Sequence, residues 1–354
     1  MFPMRRVCCC GAILRGEPAD SPDARQGRKS FLNHKLTLFG GRKGPFMDDH
    51  SAELVLGSVQ LGVAYGVANK TGKPSHGAAL KLVRQAADAG VSQFDTARAY
   101  GDSEARLGEA LDGRHVRTIT KLSPLADLPA DAGRDEVRDA VDASIAESLY
   151  ALRRKRIDCL LLHRASHMTA YRGAVWERLL ERLEDGSIAA LGVSLQSPRE
   201  AFEALARREV RHIQMPFNLL DWRWREASVI AQMEKRGDLT VHARSVFLQG
   251  LLAANDAAIW PRIEGVDPAS LLRLLAGLTE EFGRESVADL CLAYARGQRF
   301  INGVVVGLET KEQLNTNLRL AVKRPLTQAE CALIEARVPH LPERLLDPAQ
   351  WPKR

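Results

Sequence analysis

The stretch QFDTARAYGDSE (residues 93–104) closes an apolar run on a carboxylate, Asp95, and sets a phenol, Tyr100, five residues later. A carboxylate at the end of a buried strand needs a partner. The surrounding chain supplies candidates, because the same pattern of apolar run, polar end and amphipathic stretch recurs along it. Eight runs read as strands: LVLGSV (54–59), VSQFD (91–95), VRTITK (116–121), IDCLLLH (157–163), IAALGVS (188–194), RHIQMP (211–216), LTVHARS (239–245) and INGVVVG (301–307). Helix-like segments separate them, among them the one closed by Gly90, a long one over 134–154 and one that starts at Pro198. Eight β/α units in roughly 250 residues match the size of a (β/α)8 TIM barrel better than that of a doubly wound sheet. The expected fold is therefore α/β, a (β/α)8 barrel with a long loop after the seventh strand and an extra C-terminal helix over LTQAECALIEARV (326–338).

The chain has 354 residues and a net charge of +6. Residues 1–46 hold nine Lys/Arg against three Asp/Glu, which accounts for all of it, and the remainder carries 41 of each sign. A balanced barrel offers no electrostatic footprint for nucleic acid. Residues 1–46 lack apolar periodicity and read as a disordered extension, with Met47 as an alternative start and 47–354 as a single barrel domain. The apolar part of RRVCCCGAIL (5–14) is too short for a membrane span, and no lipidation signature accompanies Cys8 to Cys10. Cys159, Cys291 and Cys331 are far apart among apolar neighbours, as in a reduced cytoplasmic protein. The expected partner is a small molecule, and the expected assembly a monomer or small homo-oligomer.

In a barrel the chemistry sits at the C-terminal ends of the strands. Asp95 ends the second strand, Lys121 the third and His163 the fourth, with Tyr100 one short loop beyond Asp95. Neighbouring strands lie about 4.8 Å apart, so the four side chains converge without any long-range assumption. A lysine ammonium beside Tyr100 favours the phenolate, Asp95 keeps that lysine charged, and His163 is placed to hydrogen-bond a carbonyl oxygen or to relay the proton that Tyr100 donates. Such a set protonates a carbonyl while hydride arrives from a cofactor. No metal site is expected. His163 and His167 have metal-like spacing only on a helix, and here a strand is ending. Two duller readings compete: a structural Asp95–Lys121 ion pair, and a hydrogen-bonded rim histidine at His163. It is the company of all four that favours chemistry.

The order Asp95, Tyr100, Lys121, His163 resembles the catalytic tetrad of the aldo-keto reductase superfamily. FDTARAYGDSEARLGEAL (94–111), GVS (192–194), IQMPFN (213–218) and VVVGLETKEQLNTN (304–317) resemble its signatures, and LGSVQLGVAYGVAN with RSVFLQGLL looks like a bacterial branch associated with sugar metabolism. The resemblance implies a metal-free, NADP(H)-dependent or NAD(H)-dependent oxidoreductase interconverting an aldehyde, ketone or sugar and its alcohol, with Tyr100 as general acid and base. It also implies that Ser194 and Gln214 grip the nicotinamide carboxamide and that Ser245 and Leu248 lie at the pyrophosphate, with Gly250 also among the cofactor-binding residues. Gln313 and Asn317 would contact the adenine end, with Gly307, Thr310 and Lys311 also among the cofactor-binding residues, and Thr310 and Gln313 also form a capping box.

Two departures stand out. Leu195 follows Ser194 where many relatives have asparagine, and Glu309 is placed to repel a 2′-phosphate, with Lys311 as compensation. Tyr65, and Trp222 with Trp224, are candidates for an apolar substrate wall. The alternatives are a cofactor-binding regulatory barrel with residual catalysis and a metal-dependent hydrolase built on Asp95, His163 and His167.

Overall fold

The computed structural model describes residues 51–352. Residues 1–46, with the expected disordered extension and the Cys8 to Cys10 cluster, lie outside them. Eight parallel strands close into a barrel in sequence order: β1 Glu53–Gly57, β2 Gln93–Asp95, β3 Arg117–Lys121, β4 Cys159–Leu162, β5 Leu191–Ser194, β6 Val210–Pro216, β7 Thr240–Arg244 and β8 Gly303–Gly307. β8 pairs with β1 along the whole length of both, Glu53 opposite Gly303 and Gly57 opposite Gly307, which closes the ring.

Around it run α1 His76–Asp88, α2 Ser103–Ala110, α3 Arg134–Leu152, α4 Ala174–Glu184, α5 Pro198–Leu205, α6 Pro268–Glu281, α7 Val287–Arg296, α8 Lys311–Ala321 and α9 Gln328–Arg337. Their ends follow local chemistry. Gly90, at φ +94, lies two residues past α1 in the left-handed region that glycine tolerates. Pro198 opens α5 behind Ser197, whose hydroxyl accepts from Glu200 N. Thr310 with Gln313, and Thr327 with Glu330, form capping boxes. Between β7 and β8 a long loop over 245–267, holding the 3-10 turn Leu248–Gly250, the single helical turn Leu251–Ala254 and the 3-10 turn Ala257–Ile259, precedes α6 and α7, and α9 follows the barrel's last helix.

The main core lies where outward-facing strand residues meet the helices. Inside the ring the filling is mixed. Ile119, Cys159 and Leu161 form a small separate cluster, while His212 and His242 are fully buried with ring centroids 4.2 Å apart. Gly303 makes space for them, since a Cβ there would come 2.7 Å from the His242 ring. Burial pushes the Cys159 thiol up to about 12, as expected of an unreactive core cysteine. Among the described residues no helix is long and apolar enough to cross a membrane.

Candidate active site

Register places the polar strand ends together. Gly57 pairs with Asp95, Asp95 with Ile119, and Lys121 with Leu161, two residues before His163. Lys121 is 1% and Asp95 3% exposed. Lys121 Nζ donates to Asp95 Oδ1 at 2.8 Å, to Asp95 Oδ2 at 2.9 Å and to Thr96 O at 2.8 Å. Those acceptors take its donors, so Tyr100 meets the ammonium through its ring, 5.0 Å from Nζ to the centroid. Burial by itself lowers the lysine, but Asp95 and then Tyr100 outweigh it and hold the ammonium above its ordinary value.

The loop carrying Tyr100 is held by close backbone approach. A Cβ on Gly62 would come 1.7 Å from Tyr100 O, and one on Gly101, at φ +58, would come 2.6 Å from Gly62 O. Beneath it, Ser103 Oγ donates to Ser58 O at 2.9 Å and Ser58 Oγ donates to Asp95 O at 2.7 Å. The buried Glu104 accepts from Thr120 Oγ1 at 2.6 Å and from Arg98 at 2.5 Å, which ties α2 to β3.

His163 follows β4 by one residue, its ring edge-on to Tyr100 at 5.8 Å and 86°. Burial, then the charges of Lys121 and Arg244, push its pKa down to about 3, so the imidazole is neutral at neutral pH. Its Nδ1 is buried without a protein partner. His167 lies on the 3-10 turn Ala165–Met168. Among the described residues no three His, Cys, Asp or Glu are grouped to hold a metal.

Gln214, opposite Ser194 in the β5–β6 register, donates Nε2 to Asp95 Oδ2 at 2.7 Å. Its Oε1 is left buried without a partner, an orphaned acceptor suited to an amide N–H. After β7, Ser245, Leu248, Gln249 and Gly250 all have positive φ, the backbone habit of anion-binding concavities. A Cβ on Gly250 would come 2.7 Å from Ala68 Cβ, so this loop and the loop after β1 pack too tightly for a side chain. At the far side Gln60 covers Gly307, where a Cβ would meet its amide at 2.2 Å. Gln313 caps α8 and also donates to Glu309 Oε1 at 3.0 Å, while Asn317 is buried on the same helix. Lys311 opens α8. The orphaned acceptor, the left-handed run and the capped helix end fit a dinucleotide stretched from β5 to β8.

The substrate-wall candidates separate. Tyr65 is 40% exposed, and burial of its phenol raises its pKa against the pull of Arg244, with Tyr100 also close enough to act on it. Trp222 stacks on His340 at 4.8 Å and donates Nε1 to Leu341 O, which ties it to the C-terminal segment. Trp224 is fully buried in the main core and is no part of a wall. Position after a strand does not tell which way a side chain turns. Sequence reasoning also passed over Arg244, which ends β7 as Lys121 ends β3; the same strand-end rule finds it.

A closed (β/α)8 barrel with buried, mutually bonded polar groups at its C-terminal mouth has the architecture of a barrel enzyme. Comparison narrows the class: a family model described as Aldo/keto reductase family matches residues 53–338, and the chain belongs to that family of carbonyl and alcohol oxidoreductases. Among curated proteins it is similar to 6-dehydroglucose reductase of Novosphingobium aromaticivorans, 36% identical over 33% of this chain and 41% of that protein. L-glyceraldehyde 3-phosphate reductase of Escherichia coli (strain K12) is 24% identical over 73% of this chain and 82% of that one. The aldo-keto reductase AKR11C1 from Bacillus halodurans, in its holo form, shares the fold with TM-score 0.65 and 22% identity, covering 82% of this chain and 94% of the other.

Proposed function

We propose that the protein interconverts a small or sugar-like carbonyl and its alcohol with NADP(H) or NAD(H), using Tyr100 as the general acid and base. The observation that carries this is the Lys121 ammonium, neutralised by Asp95 and lying over the Tyr100 ring. When bound, the dinucleotide supplies or takes the hydride. The chain's own residues do the rest. Ser194 and Gln214 hold the carboxamide, with Oε1 of Gln214 as an acceptor. Ser245, Leu248 and Gly250 receive the pyrophosphate, and Gly307, Thr310, Lys311, Gln313 and Asn317 the adenosine side.

In the reductive direction Tyr100 gives its proton to the carbonyl oxygen, and the lysine charge stabilises the phenolate left behind. His163, kept neutral, orients that oxygen by a hydrogen bond and not by charge. Asp95 holds the lysine in place. Tyr65 walls the substrate at the mouth, and Trp222 shapes the rim beside the C-terminal segment. The names of the reductases of 6-dehydroglucose and L-glyceraldehyde 3-phosphate support a sugar-type substrate.

Titration of the protein with NADPH and NADH, followed by fluorescence, tests the cofactor; a screen of aldoses and simple aldehydes at the reduced-nicotinamide absorbance tests the substrate class. Saturable binding of at least one reduced dinucleotide and its oxidation by an aldehyde or aldose are expected. Absence of binding by both contradicts the proposal.

A further inference from the structure

Arg244 ends β7 and turns across the barrel mouth. Its Nη2 donates to Leu195 O at 2.9 Å, and its Nη1 lies 3.3 Å from Ser245 Oγ. Both anchors are neutral oxygens. Lys121, a second cation of the mouth, is matched by Asp95, whereas among the described residues no ion pair joins Arg244 to a carboxylate. Its charge reaches the reaction centre, since it acts on Tyr65, Lys121 and His163 alike. The guanidinium is thus pinned between Leu195, next to Ser194, and Ser245, the two flanks assigned above to the nicotinamide and pyrophosphate ends. Leu195 is fully buried and offers only its backbone there.

Carbonyl reduction moves a hydride from C4 of the dihydronicotinamide to the carbonyl carbon and a proton to the carbonyl oxygen, and it leaves the ring one positive charge richer. A neighbouring cation is indifferent to the neutral ring and repels the charged one. We propose that Arg244 discriminates the oxidation state of the cofactor: as an uncompensated cation among the residues assigned to the nicotinamide, it weakens binding of the oxidised form relative to the reduced form. The inference rests on the nicotinamide-dependent reading above. It keeps the site loaded with reduced dinucleotide and speeds release of the oxidised product, while hydride transfer within the site becomes less favourable.

The test is the ratio of Kd values for oxidised and reduced dinucleotide, measured by calorimetric titration of wild type, Arg244→Gln and Arg244→Met. Glutamine removes the charge and keeps a shorter amide donor; methionine removes charge and donor alike. The ratio is expected to fall on the order of tenfold in both variants, mainly through tighter binding of the oxidised form. An unchanged ratio overturns the inference, and so does equal weakening of both forms, which makes Arg244 a plain anchor for the phosphates. Unchanged Kd values with a raised KM for acidic carbonyl substrates also overturn it and assign the guanidinium to the substrate. Wild-type protein that binds neither form sinks the oxidoreductase reading itself, and this inference with it.

Discussion

Lys121 Nζ reaches both carboxylate oxygens of Asp95, at 2.8 and 2.9 Å, in a place that solvent barely touches. Buried pairs of this kind are weak evidence for stability but costly to break from one side. Lys121→Met leaves Asp95 buried with Gln214 as its remaining side-chain donor. The variant is expected to lose about 3–5 kcal/mol in urea unfolding, and turnover with it. Asp95→Asn added to Lys121→Met should restore much of the stability and none of the activity. Equal stability of wild type and Lys121→Met would show that the pair does not hold the mouth together.

Gly62 tests the loop that carries Tyr100. Gly62→Ala places a methyl where Tyr100 O now stands, so the loop has to move. A misplacement of about 1 Å at a reacting group costs on the order of a hundredfold in rate. Steady-state kinetics should show kcat down by roughly that factor, with reduced-dinucleotide affinity near wild type. A normal kcat would mean the loop accommodates the methyl elsewhere.

Much of this site was legible because strand-end residues obey a local rule. Asp95, Lys121 and His163 each close an apolar run, and closed-barrel geometry brings such ends together without further information. The capping box at Thr310 and Gln313 was legible for the same reason, since its partners are three residues apart. Contacts made by distant segments were not. The approach of Gly62 to Tyr100 O depends on how loops cross the mouth, and the bond from Gln214 to Asp95, 119 residues apart, on two strands facing each other across the barrel. Trp224 shows the converse, because its position after β6 suggested a wall and its side chain turned into the core.

Desolvated imidazoles, His167 among them, set an acid limit. His163 and His242 are held at about 3 and His212 well below its ordinary value, in each case first by burial. Below about pH 6.5 the unfolded chain takes up protons that these folded groups refuse, so stability falls as pH drops from there toward 3. For His242, fully buried, the slope is on the order of 1 kcal/mol per pH unit. Urea midpoints at pH 7, 6 and 5 should fall steadily, and His212→Leu/His242→Leu should flatten the dependence. His163 should stay neutral by NMR at pH 5. A protonated His163 at that pH would contradict the hydrogen-bonding role given to it.

Glu309 bears on cofactor choice. Its carboxylate accepts from Gln313 Nε2 beside the α8 N-terminus, where a 2′-phosphate would meet it. Glu309→Gln is expected to tighten NADPH several-fold and leave NADH nearly unchanged; Lys311→Gln should do the reverse to NADPH. Equal effects on both dinucleotides would place the 2′-phosphate elsewhere.

The central claim is that the Tyr100 hydroxyl carries the proton. Tyr100→Phe removes one oxygen and keeps the ring against Lys121 and His163. The decisive measurement pairs kcat with the Kd of the reduced dinucleotide for this variant. The account predicts loss of turnover by at least about a hundredfold with Kd within a few-fold of wild type; retention of wild-type kcat would contradict it outright.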